Sequence, residues 1–169
     1  MLAEVYPDLE PRFVEEQTQH LITRLRNGNL DLAIMAIPSE TTGMVDSPLY
    51  TEKFSIVCPP DHPIAGREDV QLSELKDLDL LLLDDGHCLR DQIVDLCRHA
   101  DVNPAEATNS VTRASSLTTI MQLVMGGLGC TLVPESALAT ECHGKDVAIA
   151  HFASDVTAER EVGLVFRSS

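Results

Sequence analysis

The sequence predicts an α/β fold with mostly parallel sheets, because strand-like and helix-like patterns alternate along the chain. Short apolar runs bounded by turn residues alternate with stretches whose apolar residues recur at helical spacing, and glycine turns follow two of the helical stretches just before the next apolar run. Taken in order, Leu21, Ile22 and Leu25 mark a helix over Thr18 to Leu25, Asn27-Gly28-Asn29 ends it, and Leu30 to Ile37 reads as a buried strand. Leu49 to Pro59 gives a second strand around Phe54-Ser55-Ile56-Val57-Cys58, closed by Pro59-Pro60 and the turn-like Asp61-His62-Pro63. Leu78 to Leu83 is an apolar run too short for a helix, hence a third buried strand. Gly86 punctuates its end, and Leu89, Ile93 and Leu96 then define a helix from about Cys88 to His99. Ser115 and Ser116 are N-cap candidates for a helix over Leu117 to Met125, which Gly126-Gly127 ends before a strand over Cys130 to Val133. Val147 to His151 and Val162 to Phe166 close the series as short strands, with no internal repeat and no low-complexity linker.

Composition bounds the function. A chain of 169 residues buries roughly 70% of its unfolded surface without disulfides or metals. With 27 acidic residues against 12 Lys and Arg, the formal charge of −15 repels phosphate backbones, so this segment alone is not expected to bind DNA. No run approaches the ~18 to 20 apolar residues of a membrane span, and the acidic segment from Met1 to Glu16 is no signal peptide, which places the chain in the cytoplasm, off the membrane. In that reducing compartment its five cysteines are not expected to pair at rest, and any disulfide would be transient and functional.

The chemistry gathers at Asp84-Asp85-Gly86-His87-Cys88-Leu89-Arg90-Asp91-Gln92. Cys88 stands at the expected helix start with His87 beside it and Arg90 within one turn; a helix N-terminus and a nearby cation both favour the thiolate, the form that attacks peroxide. The competing reading is a buried, inert cysteine, which these polar neighbours disfavour. Cys97, on the apolar stripe of the same helix, is either core filler or a resolving thiol for a sulfenic acid on Cys88. A metal site from His87, Cys88, Cys97 and His99 lacks the usual zinc spacings, so no metal or other cofactor is expected. Cys58 and Cys130 read as core, and Cys142 as a loop thiol with no assigned role.

The string Gly86-His87-Cys88-Leu89-Arg90-Asp91-Gln92, with Cys97 nine residues after Cys88, resembles the sensor motif of the OxyR group of LysR-type hydrogen-peroxide regulators. Broader features resemble LysR-type effector-binding domains: Leu25 through Asn27-Gly28-Asn29-Leu30-Asp31, then Asp61-His62-Pro63, then Gly127-Leu128-Gly129 leading to Leu132-Val133-Pro134. Together they span nearly the whole chain.

The resemblance implies a two-lobed, periplasmic-binding-protein-like (type 2) fold. It makes Cys88 the peroxidatic cysteine and Cys97 its resolving partner, with His87 and Arg90 favouring the thiolate or polarising peroxide and Asp91 orienting Arg90 or joining the same polar network. Glu16-Gln17-Thr18 matches a family segment that turns a hydroxyl toward the pocket from the other lobe; Thr18 either plays that part or caps its helix. Against the family pattern, the winged helix-turn-helix, the linker helix, the opening strand of the first lobe and the closing helix are missing, so the sequence reads as a fragment. Its expected division is an incomplete first lobe over 1–51, a second lobe with the redox cysteines over 52–161, and a strand crossing back over 162–169. Hydrogen peroxide is the expected partner, DNA is reached only through the missing helix-turn-helix, and the intact protein is a homodimer or homotetramer. Two other readings stay open: a domain that binds a small metabolite between its lobes with Cys88 incidental, and a thiol peroxidase, disfavoured because no Cys-x-x-Cys motif occurs. A periplasmic solute-binding protein would share the fold but needs a signal peptide.

Overall fold

In the computed structural model, which describes residues 2–168, two long antiparallel strands run through the molecule and tie two packed bodies together. Met1 and Ser169, expected in the first lobe and in the returning strand, lie outside the described residues. The elements in chain order are α1 (Leu2–Val5), α2 (Thr18–Arg26), β1 (Leu32–Ile37), β2 (Met44–Cys58), a 3-10 turn (Leu72–Asp77), β3 (Leu80–Leu83), α3 (Cys88–His99), α4 (Pro104–Ala107), β4 (Thr108–Ala114), α5 (Leu117–Met125), β5 (Thr131–Pro134), α6 (Glu135–Glu141), β6 (Ala148–His151) and β7 (Glu159–Arg167).

The first body is small. β1 pairs with β7, and β7 with the first part of β2, while α2 lays Ile22 and Leu25 against Ala33, Met35 and Val165 on one side of the sheet. The helix stops where the sequence says it should: Asn27 is its C-cap and Gly28 adopts φ 73°, a left-handed conformation that glycine takes without steric cost.

The second body is larger and has a core on each side of its sheet. All four residues of β3 are buried, Leu80 and Leu82 on one face and Leu81 and Leu83 on the other, so its unbroken apolar run is what a strand covered on both faces requires. Ile93 and Cys97 of α3 close the first face, and Ile120, Met121 and Val124 of α5 close the second. Ser116 caps α5, its Oγ accepting from the Thr119 N–H at 3.3 Å. Strand β5 enters the sheet beside β3, where the Cys130 N–H donates to Asp79 O at 2.9 Å and the Leu81 N–H to Cys130 O at 2.8 Å. Gly129 makes that approach possible: at φ 156°, a Cβ there would collide with the Asp79 carbonyl.

The expectation of mostly parallel sheets is corrected. Every pairing of β1, β2, β5, β6 and β7 is antiparallel; the parallel contacts are β3 with β4 and two isolated bridges, Val70 to Phe152 and Leu80 to Cys130. The reason is connectivity. The chain leaves the first body along β2 and returns along β7, so these strands must run in opposite senses, and β5 and β6 then pair with β2 in the same sense as β7. β2 runs through both bodies without a break at Thr51, pairing with β7 up to Lys53 and with β5 from Phe54.

Candidate functional site

The site is assembled where α3 begins. Strand β3 ends at Leu83, and Gly86 turns the chain at φ 93°, so close to the first body that a Cβ there would lie 3.0 Å from Gln17 Oε1. His87 is the N-cap, in extended conformation and without a side-chain capping bond, which makes Cys88 the first residue of a 12-residue helix. Its thiol therefore stands where the opening N–H groups of the helix have no intrahelical partners and the positive end of the dipole favours an anion.

Cys88 is half-buried and lines a cleft of about 260 Å³ between the two bodies. Facing it are Thr18 at the start of α2, Tyr50 on β2, and Arg160 and Val162 on β7. Thr18 thus lines the same cleft as Cys88.

Arg160 was missed by sequence reasoning. It is fixed by Glu52: Arg160 Nε donates to Glu52 Oε1 at 2.7 Å, Nη2 lies 2.6 Å from the same oxygen, and Glu52 Oε2 accepts from the Ser136 N–H at 3.0 Å. Burial pushes the Glu52 carboxyl up, but the bonds from Ser136 and Arg160 outweigh it and hold the group below its ordinary range. Glu52 is only 6% exposed, so the ion pair is positioned by packing as well as by charge. The one local signal was an ionisable residue at each end of the crossing, Glu52 and Arg160, with no spacing to link positions 108 residues apart.

The expected neighbours of Cys88 are placed differently. Arg90 Nε pairs with Asp85 at 2.8 Å and Nη1 reaches Leu83 O at 3.4 Å, so the guanidinium braces the loop before the helix rather than a wall of the cleft. The carboxylate paired with Arg90 is that of Asp85. One step along a helix is a turn of about 100°, and Asp91 is exposed while Asp85, on the preceding loop, supplies the carboxylate. His87 is half-buried and likewise outside the cleft walls. Gln92, one turn beyond Cys88, holds its side-chain carbonyl oxygen buried with no hydrogen-bond partner among the described residues.

Cys97 is not brought to Cys88. It is fully buried on the opposite side of α3, where burial pushes its thiol up. Burial also raises Cys58, Cys142 and Cys130, the last to about 12. Among the described residues no group of three His, Cys, Asp or Glu side chains is placed to hold a metal ion, and no helix is long and apolar enough to cross a membrane.

The family model for the LysR substrate binding domain matches residues 1–169. A relative from Mycobacterium avium named "Probable hydrogen peroxide-inducible genes activator" is 49% identical over 168 residues, covering 99% of this chain and 53% of its own length; the chain thus spans about half the length of the curated relatives it matches. Among solved structures, a cysteine-to-serine mutant of Corynebacterium glutamicum OxyR with H2O2 bound is 62% identical at a TM-score of 0.96, over 99% of this chain and 52% of that one. The oxidized form of Corynebacterium glutamicum OxyR is 60% identical at a TM-score of 0.82, over 99% of this chain and 51% of that one.

Proposed function

This chain belongs to the LysR substrate-binding-domain family, in its OxyR branch, and from that premise we propose that it is the peroxide-sensing part of a transcription regulator, with Cys88 as the peroxidatic and Cys97 as the resolving cysteine. The observation that carries this is the placement of Cys88 at the first position of α3, facing Thr18 and Arg160 across the cleft.

The thiolate of Cys88 attacks one peroxide oxygen; an S–O bond forms, the O–O bond breaks, and the departing hydroxide takes a proton and leaves as water. Thr18 holds peroxide through its hydroxyl, and the guanidinium of Arg160, steadied by Glu52, stabilises first the thiolate and then the departing oxygen. Arg90 and His87 act from behind, Arg90 by tying the Asp85 loop that sets the start of the helix. The sulfur of Cys97 then displaces the hydroxyl of the Cys88 sulfenic acid, giving a disulfide and a second water.

That second step needs a change of fold. Nine residues of helix separate the two Cα atoms by roughly 14 Å, whereas a disulfide needs them within about 7 Å. α3 must unwind between Cys88 and Cys97, withdrawing Ile93 from the core and Leu89 and Leu96 from its edge. The two TM-scores to the forms of Corynebacterium glutamicum OxyR, 0.96 and 0.82 over the same share of this chain, are those of two forms that differ in conformation. The domain works stoichiometrically, as a sensor and not as an enzyme. DNA is bound by a segment outside this acidic chain, in a cytoplasmic homodimer or homotetramer, and the lobes divide near Thr51 and Glu161.

Alkylation mass spectrometry before and after one equivalent of peroxide tests this. Cys88 is expected to be consumed first and to reappear bonded to Cys97; saturable binding of a metabolite in the cleft with Cys88 unreactive would replace the proposal with the small-effector reading.

A further inference from the structure

Strands β2 and β5 are in register from Phe54 opposite Pro134 to Val57 opposite Thr131. Continued one step beyond the paired residues, that register sets Cys58 opposite Cys130, and the two thiols are near enough to influence each other electrostatically. The Cys130 N–H and C=O both bond to the β3 side, at Asp79 and Leu81, so this pair exchanges no hydrogen bonds across to β2. In such a position opposed Cα atoms come to about 4.5 Å, closer than in a hydrogen-bonded pair, and a disulfide spans about 4.4 to 6.8 Å. Both side chains lie in the same core, on one face of the sheet, with 0% and 1% exposure. That core is the one α3 closes with Ile93 and Cys97.

We propose that Cys58 and Cys130 are a second redox pair, latent under α3, which peroxide closes to a cross-strand disulfide once that helix has unwound. The inference rests on the proposed role of Cys88 only for its trigger; the juxtaposition of the two thiols stands by itself. One thiol reduces a peroxide to water and becomes a sulfenic acid, and the other displaces its hydroxyl as a second water. One peroxide is consumed, two sulfurs are oxidised, and the two thiol protons leave in the water. While the core is closed, burial raises both thiols and hides them from peroxide. The sensor would thus record two levels of exposure, the second reached only after the first.

The test is peptide mapping of this chain after timed exposure to excess hydrogen peroxide, with free thiols blocked before digestion. In the wild-type chain the Cys58 to Cys130 disulfide is expected after the Cys88 to Cys97 bond, and at least about tenfold faster than in Cys88→Ser, whose α3 has no disulfide to unwind it. Equal rates in the two chains overturn the gating, and the state of the Cys88 peptide in the same digest shows whether the sensor reading failed with it. A second arm needs no sensor: Cys88→Ser combined with Cys97→Ser, treated with the dithiol oxidant diamide in urea just below the unfolding transition. The Cys58 to Cys130 pair is expected there as the main intramolecular disulfide; both thiols remaining free, or pairing mainly with Cys142, overturns the proposal.

Discussion

Cys88 and Cys97 lie on one helix nine residues apart, and their surroundings are opposed. Cys88 sits at the first position of α3, half-buried and facing a cleft with a hydroxyl and a guanidinium on its far wall. Cys97 is sealed among Ile93, Leu80 and Val102. The N-terminal end of α3 is open to the cleft and its C-terminal half is packed into the core, so the disulfide proposed between them could form only by giving up the second to serve the first. In the resting structure the Cys97 thiol is withheld by packing, so the resolving role proposed for it requires a conformational change.

The largest effect should follow from removing the reactive end. Cys88→Ser is expected to slow loss of free thiol at low peroxide by more than about a hundredfold, since the remaining thiols are raised by burial; timed alkylation reads it, and a loss of less than tenfold would move the reaction to another cysteine.

The stabilising half is probed next. Ile93, 2% exposed, anchors α3 in the core, and Ile93→Ala should cost about 2 to 4 kcal/mol of unfolding free energy in urea. The first step should keep its rate within about twofold, because Ile93 does not face the cleft. A drop in Cys88 oxidation as large as the loss of stability would erase the distinction between the two ends.

Arg160→Met tests the cleft wall. Loss of a charge facing Cys88 should slow oxidation about tenfold, equivalent to about 1.4 kcal/mol, and Glu52→Gln should slow it less while leaving the guanidinium in place. If Arg90→Met has the larger effect, the cation that matters is the one on the loop.

The smallest effect is on pH dependence. Cys130 is held protonated by burial, to about 12, so its contribution is fully present below the unfolded value near 9 and is lost as pH rises toward 12. Stability should fall over that window, and Cys130→Ala should flatten the fall by up to about 1 kcal/mol per pH unit. An unchanged slope would mean that other groups govern the alkaline limit.

Much of this was legible in the sequence wherever the signal was local. The Gly86 break and the spacing of Leu89, Ile93 and Leu96 marked α3 with its bounds, and Ser116 marked the start of α5. The all-leucine β3 was recognised because burial on both faces leaves an unbroken apolar run. Strand β4, Thr-Asn-Ser-Val-Thr-Arg-Ala, was missed because it alternates too weakly to separate from a loop, and α6 because none of its residues is buried. The antiparallel sheet and the Glu52 to Arg160 pair were invisible for a common reason: both are set by the chain returning along β7 from the second body, and no local pattern encodes that pairing. The pairing of Arg90 with Asp85 was not singled out because sequence proximity ignores the direction in which a helical side chain points.

If Cys97 resolves Cys88 as proposed, α3 must unwind for the disulfide to close. Amide hydrogen exchange over α3, measured with the Cys88 to Cys97 disulfide quantified in the same sample, tests it most directly. On oxidation the amides from Leu89 to Leu96 should lose their protection while those of β1, from Leu32 to Ile37, keep theirs; a fully formed Cys88 to Cys97 disulfide with α3 still protected would contradict the account.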